Sequence, residues 1–351
     1  MLSKFRFLTA GESHGKCLTA IIEGIPAGFE IDPAFINEEL KRRQGGYGRG
    51  ARMQIESDTV EITSGVRFGK TLGSPITLVI QNRDFENWQK IMSIHKKDFT
   101  DEKSFTKCRP GHADFAGSIK YNAKDLRNIL ERSSARKTAI EVAVGAVAKS
   151  ILKEFGITCS SKIIQIGQAK ENFEQEIDNA KENGDTLGGK FEVVYENLPI
   201  GLGSHVHWDR MLDGKIAQAV MSVPAVKSVS IGCENAYKML GSEYHDQMYL
   251  ENGKIVRKTN NAGGIEGGMT NGEPLVVTAV MKPIPTLKKP LNTIDLSTME
   301  ECKAHFERSD ACAVEACSVV TEARIACVLA DELLLKFGGD NLDEILKKIK
   351  Y

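Results

Sequence analysis

The chain has 351 residues, 41% of them hydrophobic and 26% charged, and its 46 basic and 47 acidic side chains give a formal net charge of −1. This composition is typical of a soluble globular protein with a sizeable buried core, at a length that corresponds to roughly two domains. A neutral total excludes a protein whose whole surface binds polyanions, but it leaves room for local basic clusters.

The first half of the chain is predicted to hold one short helix, two strands and one long helix. Residues 32–43 predict a helix that Asp32 caps and a glycine pair ends. Runs rich in β-branched residues predict strands at Thr59–Ile62 and Ile76–Ile80. The long helix runs from about Ser134 to Phe155. Because its middle is small and apolar on nearly every side, we expect it to be buried in the centre of the molecule.

The second half repeats this mixture after a polar segment. Residues 163–187, rich in Lys, Glu, Asn and Gln, predict an exposed insertion or an amphipathic helix. Strands are predicted at Phe191–Tyr195, Val226–Ile231 and Leu275–Met281, and a second long apolar helix from about Ala313 to Phe337. Because strands neighbour strands and the long helices form separate blocks, the fold class that we predict is α+β.

A short repeat relates the two long helices. Glu131-Arg-Ser-Ser-Ala135 precedes the first helix, and Glu307-Arg-Ser-Asp-Ala311 precedes the second, 176 positions later. We therefore predict a single body over residues 1–351, built by internal duplication from two related halves, roughly 1–175 and 176–351. Chance is the alternative interpretation, because the match covers five positions.

The sequence indicates neither export nor a metal centre. Charges interrupt the N-terminal segment where a secretory signal is apolar, and the apolar runs stop well short of the about 20 residues that span a bilayer. We therefore expect a cytoplasmic protein without a membrane segment. The eight cysteines include no Cys-x-x-Cys pair, which favours free thiols, and Cys302, His305 and Cys312 have no common zinc-site spacing.

Two segments have unusual backbone properties. In residues 263–272, four glycines fall within six positions, which predicts a close approach of the backbone either to a planar ligand or to another strand. Lys282-Pro-Ile-Pro-Thr286 follows a predicted strand, and its prolines hold the chain extended and leave carbonyl groups without neighbouring N–H donors. Such backbone suits contact with a heteroaromatic ring, although it is equally typical of the exit from an edge strand.

Two loops each carry a histidine in a polar, glycine-containing setting. Thr9–Gly15 places His14 beside an acid and a hydroxyl group, and Arg109–Asp114 places His112 after a Pro-Gly turn. A histidine held on a tight loop favours proton transfer over simple packing. The arginine of the second loop offers two parallel donors for a phosphate or a carboxylate.

Arginines are concentrated in two clusters although the total charge is balanced. Guanidinium groups beside a helix N-terminus form a site for anions. The alternatives are solvated surface charge and, for residues 42–52, an RNA-contacting loop. The neutral total charge and the lack of stacking aromatic motifs count against that loop, so we expect no nucleic-acid partner. The clusters are Arg42, Arg43, Arg49 and Arg52, and then Arg127, Arg132 and Arg136.

Six motifs follow one another along the chain: Gly11-Glu-Ser-His-Gly15, Arg42-Arg-Gln-Gly-Gly-Tyr-Gly-Arg49, Arg109-Pro-Gly-His-Ala-Asp114, Arg132-Ser-Ser-Ala-Arg136, Lys282-Pro-Ile-Pro-Thr286 and Arg308-Ser-Asp310. Together, and in this order, they closely resemble the motifs of the chorismate synthase family. The resemblance runs from residue 4 to about residue 340. One such motif would be modest evidence, but six in register are very specific.

The resemblance implies a carbon–oxygen lyase that converts 5-enolpyruvylshikimate 3-phosphate to chorismate by anti-1,4-elimination of phosphate, the last step of the shikimate pathway. It also implies reduced FMN as cofactor without net redox change, a homotetramer, and a layered β-α-β sandwich with long helices between antiparallel sheets. Because the chain holds no complete dinucleotide fingerprint, we expect NADPH to act as an indirect reductant through an external flavin reductase. A flavoprotein that performs ordinary redox chemistry is the competing interpretation.

The family's functional positions fall on named residues of this chain. The resemblance places His14 near the leaving phosphate, His112 where it would protonate or hydrogen-bond the reduced flavin, and Asp310 where it would assist proton removal at the flavin. The arginines expected to face anions of substrate or NADPH are Arg43, Arg49, Arg109 and Arg136. The residues expected to contact FMN are Arg132, Ser133, Ser134, Pro224, Ala225, Gly267, Lys282, Pro283, Ile284, Pro285, Thr286 and Arg308.

Three positions depart from the family's pattern. Pro224 stands where an asparagine is common, so a flavin contact there must use a carbonyl group or packing. Lys137 stands where an acid is common, and Ala311 where a proline is common. None of the three removes a proposed catalytic group.

Overall fold

A computed structural model describes residues 2–50, 57–306 and 310–349 of the chain. The strands are β1 (Arg6–Ala10), β2 (Cys17–Glu23), β3 (Val60–Ser64), β4 (Val66–Arg67), β5 (Lys70–Thr71), β6 (Ile76–Gln81), β7 (Thr158–Ile166), β8 (Gly189–Glu196), β9 (Val226–Ile231), β10 (Met248–Glu251), β11 (Lys254–Arg257), β12 (Ile265–Glu266), β13 (Met269–Thr270), β14 (Leu275–Met281), β15 (Asn292–Asp295) and β16 (Glu300–Lys303). The helices are α1 (Pro33–Gln44), α2 (Asp114–Tyr121), α3 (Arg127–Ser133), α4 (Thr138–Lys153), α5 (Phe173–Glu182), α6 (Leu212–Met221), α7 (Gly241–Tyr244), α8 (Val314–Phe337) and α9 (Leu342–Ile349).

Two four-stranded antiparallel sheets carry the fold. The first has the strand order β1-β2-β6-β3, and the second has the order β7-β8-β14-β9. In both sheets, the fourth strand along the chain is therefore inserted between the second and the third. In both, one helix lies between the second and third strands, α1 or α6, and one long helix follows the fourth strand, α4 or α8.

The two long helices contact each other, and each covers one sheet. Helix α4 packs on β2 and β6, and α8 packs on β7 and β8. The helices approach so closely that a Cβ atom added to Gly145 would lie 2.2 Å from the Cβ atom of Ala323. Residues Thr138–Leu152 of α4 are all buried, which confirms the predicted burial of this helix.

A buried polar cluster joins α1 to both long helices. Lys149 Nζ lies 2.6 Å from Glu39 and 2.5 Å from Glu322, and Arg42 donates to both oxygens of Glu322 at 2.9 and 2.7 Å. Burial acts to raise the pKa of Glu322, but its hydrogen bonds and its cationic partners outweigh burial and hold this pKa at about 2. Arg42 is thus paired with carboxylates of α1 and α8.

The mixed helix and strand content confirms the predicted α+β class. The predicted helices correspond to α1, α4 and α8, and the predicted strands to β3, β6, β8, β9 and β14. The sequence does not predict β1, β2 and β7. The segment 163–187 contains the end of β7 and then α5, whose buried residue is Ile177, so its amphipathic-helix interpretation is the correct one.

Backbone packing explains the glycine-rich stretch 263–272. A Cβ atom on Gly263 would lie 2.3 Å from the backbone nitrogen of Gly232, and one on Gly264 would lie 2.6 Å from the carbonyl oxygen of Pro274. Both glycines have positive φ angles, +62° and +82°. Of the two predicted neighbours, a strand or a planar ligand, the structure places the chain's own backbone at these two positions.

Neither a membrane span nor a metal cluster is found in the part of the chain that the structure describes. There, no helix is long and apolar enough to cross a membrane, and no three of its His, Cys, Asp and Glu side chains are grouped as metal ligands would be. All eight cysteines are free, as predicted.

Gly145→Ala should lower the free energy of unfolding by about 1–3 kcal/mol, because the added methyl group overlaps Ala323 and forces the long helices apart. Gly214→Ala is the matched control, since Gly214 lies in α6 and the nearest atom to its added Cβ is 3.9 Å away. There the substitution should raise stability by up to about 1 kcal/mol. Urea unfolding of both variants measures the difference, and equal effects would contradict the close helix contact.

Candidate active site

His14 lies in the loop that joins β1 to β2. Its Nδ1 atom is 2.8 Å from Glu131 Oε1, and its backbone N–H donates to Glu131 Oε2 at 2.8 Å. The imidazole stacks on Trp88 with ring centroids 3.9 Å apart, and Arg127 forms an ion pair with Glu131 at 3.5 Å. These four residues are called the His14 unit below. His14 is thus buried in a polar setting, held by a carboxylate and an indole ring.

A chain of buried polar side chains leads from this loop to α1. Asn82 donates to the carbonyl oxygen of Gly15 at 2.7 Å and accepts from Arg136 Nε at 2.9 Å. Arg136 donates to both oxygens of Asp58 at 2.7 Å, and Asp58 lies 3.7 Å from Arg43. Two of the arginines expected to bind anions, Arg43 and Arg136, therefore meet around one carboxylate.

His112 belongs to a second unit centred on a carboxylate, which consists of Arg109, His112 and Asp114. Asp114, the first residue of α2, lies 2.6 Å from His112 Nδ1 and accepts from Arg109 Nε and Nη2 at 2.8 and 2.9 Å. Burial acts to raise the pKa of Asp114, but the hydrogen bonds from His112 and Arg109 outweigh it and hold this pKa well below its ordinary value. The carboxylate therefore stays ionised and fixes both partners.

The ring of Phe105 links the two histidine units. Arg109 of the His112 unit and Arg127 of the His14 unit both lie over this ring, at 5.6 and 5.2 Å from its centroid. A guanidinium group on an aromatic face needs no carboxylate to be held there. The two histidine loops, about a hundred positions apart in sequence, are thereby parts of one contiguous region.

Arg49 and Asp310 form a third part of this region. Arg49 Nε lies 3.3 Å from Asp310 Oδ2. Burial lowers the pKa of Arg43 to about 10, and the neighbouring positive charges of Arg136 and Arg49 act in the same direction. The guanidinium groups of Arg49 and Arg136 therefore lie close enough to Arg43 to repel its positive charge. The predicted Arg308 lies outside the described residues.

Most residues expected to contact FMN lie beside the histidine units. Arg132 donates to the carbonyl oxygens of Gly11 and Thr9 at 2.8 Å, in the His14 loop. Its neighbours in sequence hold the turn after α3: Ser133 Oγ donates to the carbonyl oxygen of Ile129 at 2.7 Å, and Ser134 Oγ accepts from the backbone N–H of Arg136 at 3.3 Å.

The segment Lys282–Thr286 lies against the His112 loop. Lys282 Nζ donates to the carbonyl oxygen of Gly111, and Pro285 also lies next to that glycine. The backbone N–H of Lys282 donates to the carbonyl oxygen of Ala225 at 2.9 Å, which places the Pro224-Ala225 turn at the same end of β14. Thr186 in turn donates to the carbonyl oxygen of Ile284 at 2.8 Å.

Gly267 stands apart from this arrangement. It lines a groove of about 380 Å³ together with Tyr244, His245, Asp246 and Glu266, among other residues. A Cβ atom on Gly267 would have no described atom within 4 Å. Its expected contact with FMN therefore has no support from the packing of the chain around it.

Cations outnumber carboxylates in the region formed by these contacts. The chain as a whole has a formal net charge of −1, so the local surplus of positive charge is concentrated here. Such a surplus suits ligands that carry several negative charges. Seven cations, Arg43, Arg49, Arg109, Arg127, Arg132, Arg136 and Lys282, accompany six carboxylates, Glu12 of the His14 loop, Asp58, Asp84, which accepts from Trp88 Nε1, Asp114, Glu131 and Asp310.

Comparison with known proteins decides the family. The sequence model described as chorismate synthase matches residues 5–334. The chain belongs to the chorismate synthase family. Chorismate synthase from Thermoanaerobacter pseudethanolicus is 58% identical over 346 residues, with 97% of this chain and 96% of the relative covered. The Aquifex aeolicus chorismate synthase is 52% identical over 99% of this chain and 97% of the relative.

A solved structure gives the same result for the fold. A crystal structure of chorismate synthase superimposes with a TM-score of 0.80 at 44% sequence identity, and the match covers 100% of this chain and 97% of the other. The predicted family and the prediction of an enzyme, a lyase, are thus confirmed.

Sequence reasoning found both histidines of this chorismate synthase-family site but assigned no role to the carboxylates that hold them. Glu131 directly precedes Arg132 in a motif that was singled out for its arginines and serines, and Asp114 ends the motif that contains His112. Trp88 carries no local signal. The two carboxylates could have been found by asking which acid a loop histidine pairs with, since neutral or charged imidazole needs a partner when it is buried.

Asp114→Asn should lower the free energy of unfolding by about 3–5 kcal/mol near neutral pH, because it leaves the buried guanidinium of Arg109 without its carboxylate. Asp209→Asn is the matched control. His207 and Asp209 have the same spacing and the same 2.6 Å contact, but their side chains are 53% and 56% exposed, so little change is expected.

The loss of stability caused by Asp114→Asn should become smaller at low pH. Because the pKa of Asp114 is lowered in the folded state, its stabilisation is complete above the ordinary carboxyl pKa of about 3.9 and declines as the pH falls below it. The gap in stability between the native chain and Asp114→Asn should therefore narrow in acid. Urea titrations at about pH 7 and about pH 3 measure the gap, and a gap that widens in acid would refute the role of this carboxylate.

Proposed function

We propose that the chain catalyses the anti-1,4-elimination of phosphate from 5-enolpyruvylshikimate 3-phosphate to give chorismate. One observation carries the proposal: two histidines, each bound through Nδ1 to a buried carboxylate, lie in one region with a surplus of cations. The substrate brings a phosphate and two carboxylates, so this charge matches it. The C–O bond to phosphate and one C–H bond break, a double bond forms, and no net oxidation takes place.

The described residues fit a reduced FMN cofactor. Arg43 is buried, and its Nη1 atom lies 3.7 Å from Asp58 Oδ2 but makes no hydrogen bond to the described residues, so the hydrogen-bonding capacity of this guanidinium group is not fully used within the chain. We propose that Arg132, Ser133, Ser134 and Lys282–Thr286 hold this cofactor beside the histidine units. When bound, reduced FMN supplies electron density to the ring of the substrate as phosphate leaves and recovers it as the proton leaves.

The chain's own residues then have separate tasks. His14 holds a positive charge near the leaving phosphate, where it stabilises the charge that develops on oxygen. His112 hydrogen-bonds the cofactor, and Asp310 assists removal of the ring proton. Arg49, Arg109 and Arg136 bind the anionic groups of substrate or cofactor and orient them.

The other expected flavin contacts are at Gly267 and at the Pro224-Ala225 turn. Gly267 lies in its own groove, and Ala225 already accepts a backbone hydrogen bond from Lys282. We propose that a flavin contact at Pro224-Ala225 is made through packing. A role for Gly267 requires a cofactor that reaches the groove formed with Tyr244 and His245.

We also propose that the fold is a layered β-α-β sandwich made of two related halves. The shared strand pattern of the two main sheets and the matching positions of α4 and α8 support this duplication. A homotetramer is proposed with them. It is supported by apolar side chains on the β10-β11 hairpin, where Met248, Leu250 and Ile255 are 65%, 76% and 70% exposed.

A nucleic-acid-binding role for residues 42–52 is not favoured. Arg42 is paired with Glu322 and Glu39, and Arg43 is buried against Thr138 and Ala135. Arg42 and Arg43, held in this way, do not present their charges to RNA, and Arg52 of the same cluster lies outside the described residues. We propose instead a cytoplasmic enzyme without nucleic-acid or membrane partners.

His14→Ala and His112→Ala should each lower the rate by about 10²–10⁴-fold, because each removes a group that holds or moves a proton. The assay follows phosphate release under anaerobic conditions with reduced FMN and substrate. His207→Ala is the control, since this histidine is about half exposed and contacts Asp209. Unchanged turnover in either site variant would remove its assigned role, and no phosphate release from the native chain would remove the proposed activity.

Supply of reduced flavin is tested separately. With NADPH and oxidised FMN, and without an added reductase or chemical reductant, the native chain should form no chorismate. Adding a flavin reductase should restore product formation, because the expected role of NADPH is indirect. Product formed without the reductase would show that the chain reduces its own flavin, contrary to this expectation.

A further inference from the structure

Glu131 makes two separate hydrogen bonds to one residue. Its Oε2 atom accepts from the backbone N–H of His14 and its Oε1 atom contacts His14 Nδ1, both at 2.8 Å. The two bonds close a ring through the backbone and the side chain of the histidine. This geometry fixes the rotation of the imidazole as well as its position.

The other members of the His14 unit restrict the same ring. Trp88 stacks on it with an angle of 25° between the planes, and Arg127 lies 5.2 Å from the centroid of Trp88 while it pairs with Glu131 at 3.5 Å. Glu131 is itself 5% exposed. Burying a carboxylate lowers the stability of a fold by several kcal/mol unless its partners compensate. Here His14 and Arg127 are those partners.

We propose that Glu131 is a positioning residue for His14. It keeps a proton on Nδ1 whether the ring is neutral or positively charged, so that His14 gains and releases its second proton at Nε2, the nitrogen that acts on bound substrate. This inference rests on the proposed role of His14 in the elimination. Glu131 does not touch the substrate, and its effect passes through the histidine.

The His112 unit has the same design. Asp114 also contacts its histidine at Nδ1 and is also paired with an arginine, Arg109. Its carboxylate likewise accepts from a backbone N–H of its own loop, that of Arg109, at 3.0 Å. Two histidines on different loops thus contact a carboxylate through the same ring nitrogen, Nδ1, and a carboxylate acceptor favours a proton on that nitrogen.

A double-mutant cycle tests the proposal. Glu131→Gln keeps the size of the side chain but replaces one acceptor oxygen by a donor, so it cannot accept both bonds from His14. It should lower kcat at least about tenfold, and by no more than His14→Ala does, with a smaller change in KM. In the His14→Ala background, Glu131→Gln should change kcat less than about twofold, because its route of action is gone.

Glu131→Asp supplies the conservative comparison, since it retains the charge and should recover part of the lost rate. The matched control is Glu141→Gln. Glu141 is also 5% exposed and also paired with an arginine, Arg324 at 2.9 Å, but it lies between the long helices. It should alter stability without altering the pH dependence of kcat, whereas Glu131→Gln should shift that dependence.

A measurement without cofactor or substrate separates the proposed role of His14 in the elimination from the proposed role of Glu131 in positioning His14. Nitrogen-15 NMR of the histidine side chains, with His14 assigned by its loss in His14→Ala, should show a proton on Nδ1 in the native chain and a mixture of tautomers in Glu131→Gln. If His14→Ala leaves the rate unchanged, the proposed role of His14 fails. If His14→Ala is slow, three results would each overturn the positioning role of Glu131. They are a native rate in Glu131→Gln, additive losses of rate in the double variant, and the same protonated nitrogen of His14 in Glu131→Gln as in the native chain.

Discussion

The two main sheets are arranged around the close contact between α4 and α8 at Gly145 and Ala323. With no side chain at position 145, the two helices approach to backbone distance, and their opposite sides are left to cover the two main sheets. The Lys149–Glu322 pair lies in the same interface and ties α1 to it. Because Arg43 lies in α1 and Arg136 directly before α4, this packing also positions these two arginines of the candidate site.

The two histidine units show how ion pairs offset the desolvation penalty of a buried carboxylate. Each unit consists of a histidine, a carboxylate and an arginine, and the carboxylate is shared by the other two. The arginine compensates the carboxylate, so that the carboxylate in turn can orient the histidine. Asp58 plays the same part between Arg43 and Arg136. The carboxylates therefore act as fixed points that hold the cations around them in place.

The sequence predicted those features whose signal is local. Loop histidines between glycines, long apolar helices and β-branched runs are visible within a few residues, and they led to His14, His112, α4 and α8. Contacts between distant positions were not visible: Glu131 is 117 positions from His14, and Asp58 is 78 from Arg136. The strands β1 and β2 were not predicted because the polar loop between them dominates that stretch. Gly267 was carried over from the family's pattern, and its position depends on tertiary packing that no motif describes.

The surplus of positive charge at the candidate site lies within a chain that is almost neutral overall. Beyond about 8 Å at physiological ionic strength, salt screens exposed charges, and the acidic side chains elsewhere cancel the remainder of the field. The attraction therefore acts at short range and does not capture a large polyanion from a distance. A small molecule with several negative charges experiences it only after entering among the arginines. A charge distribution of this short range favours small anions over large polyanions.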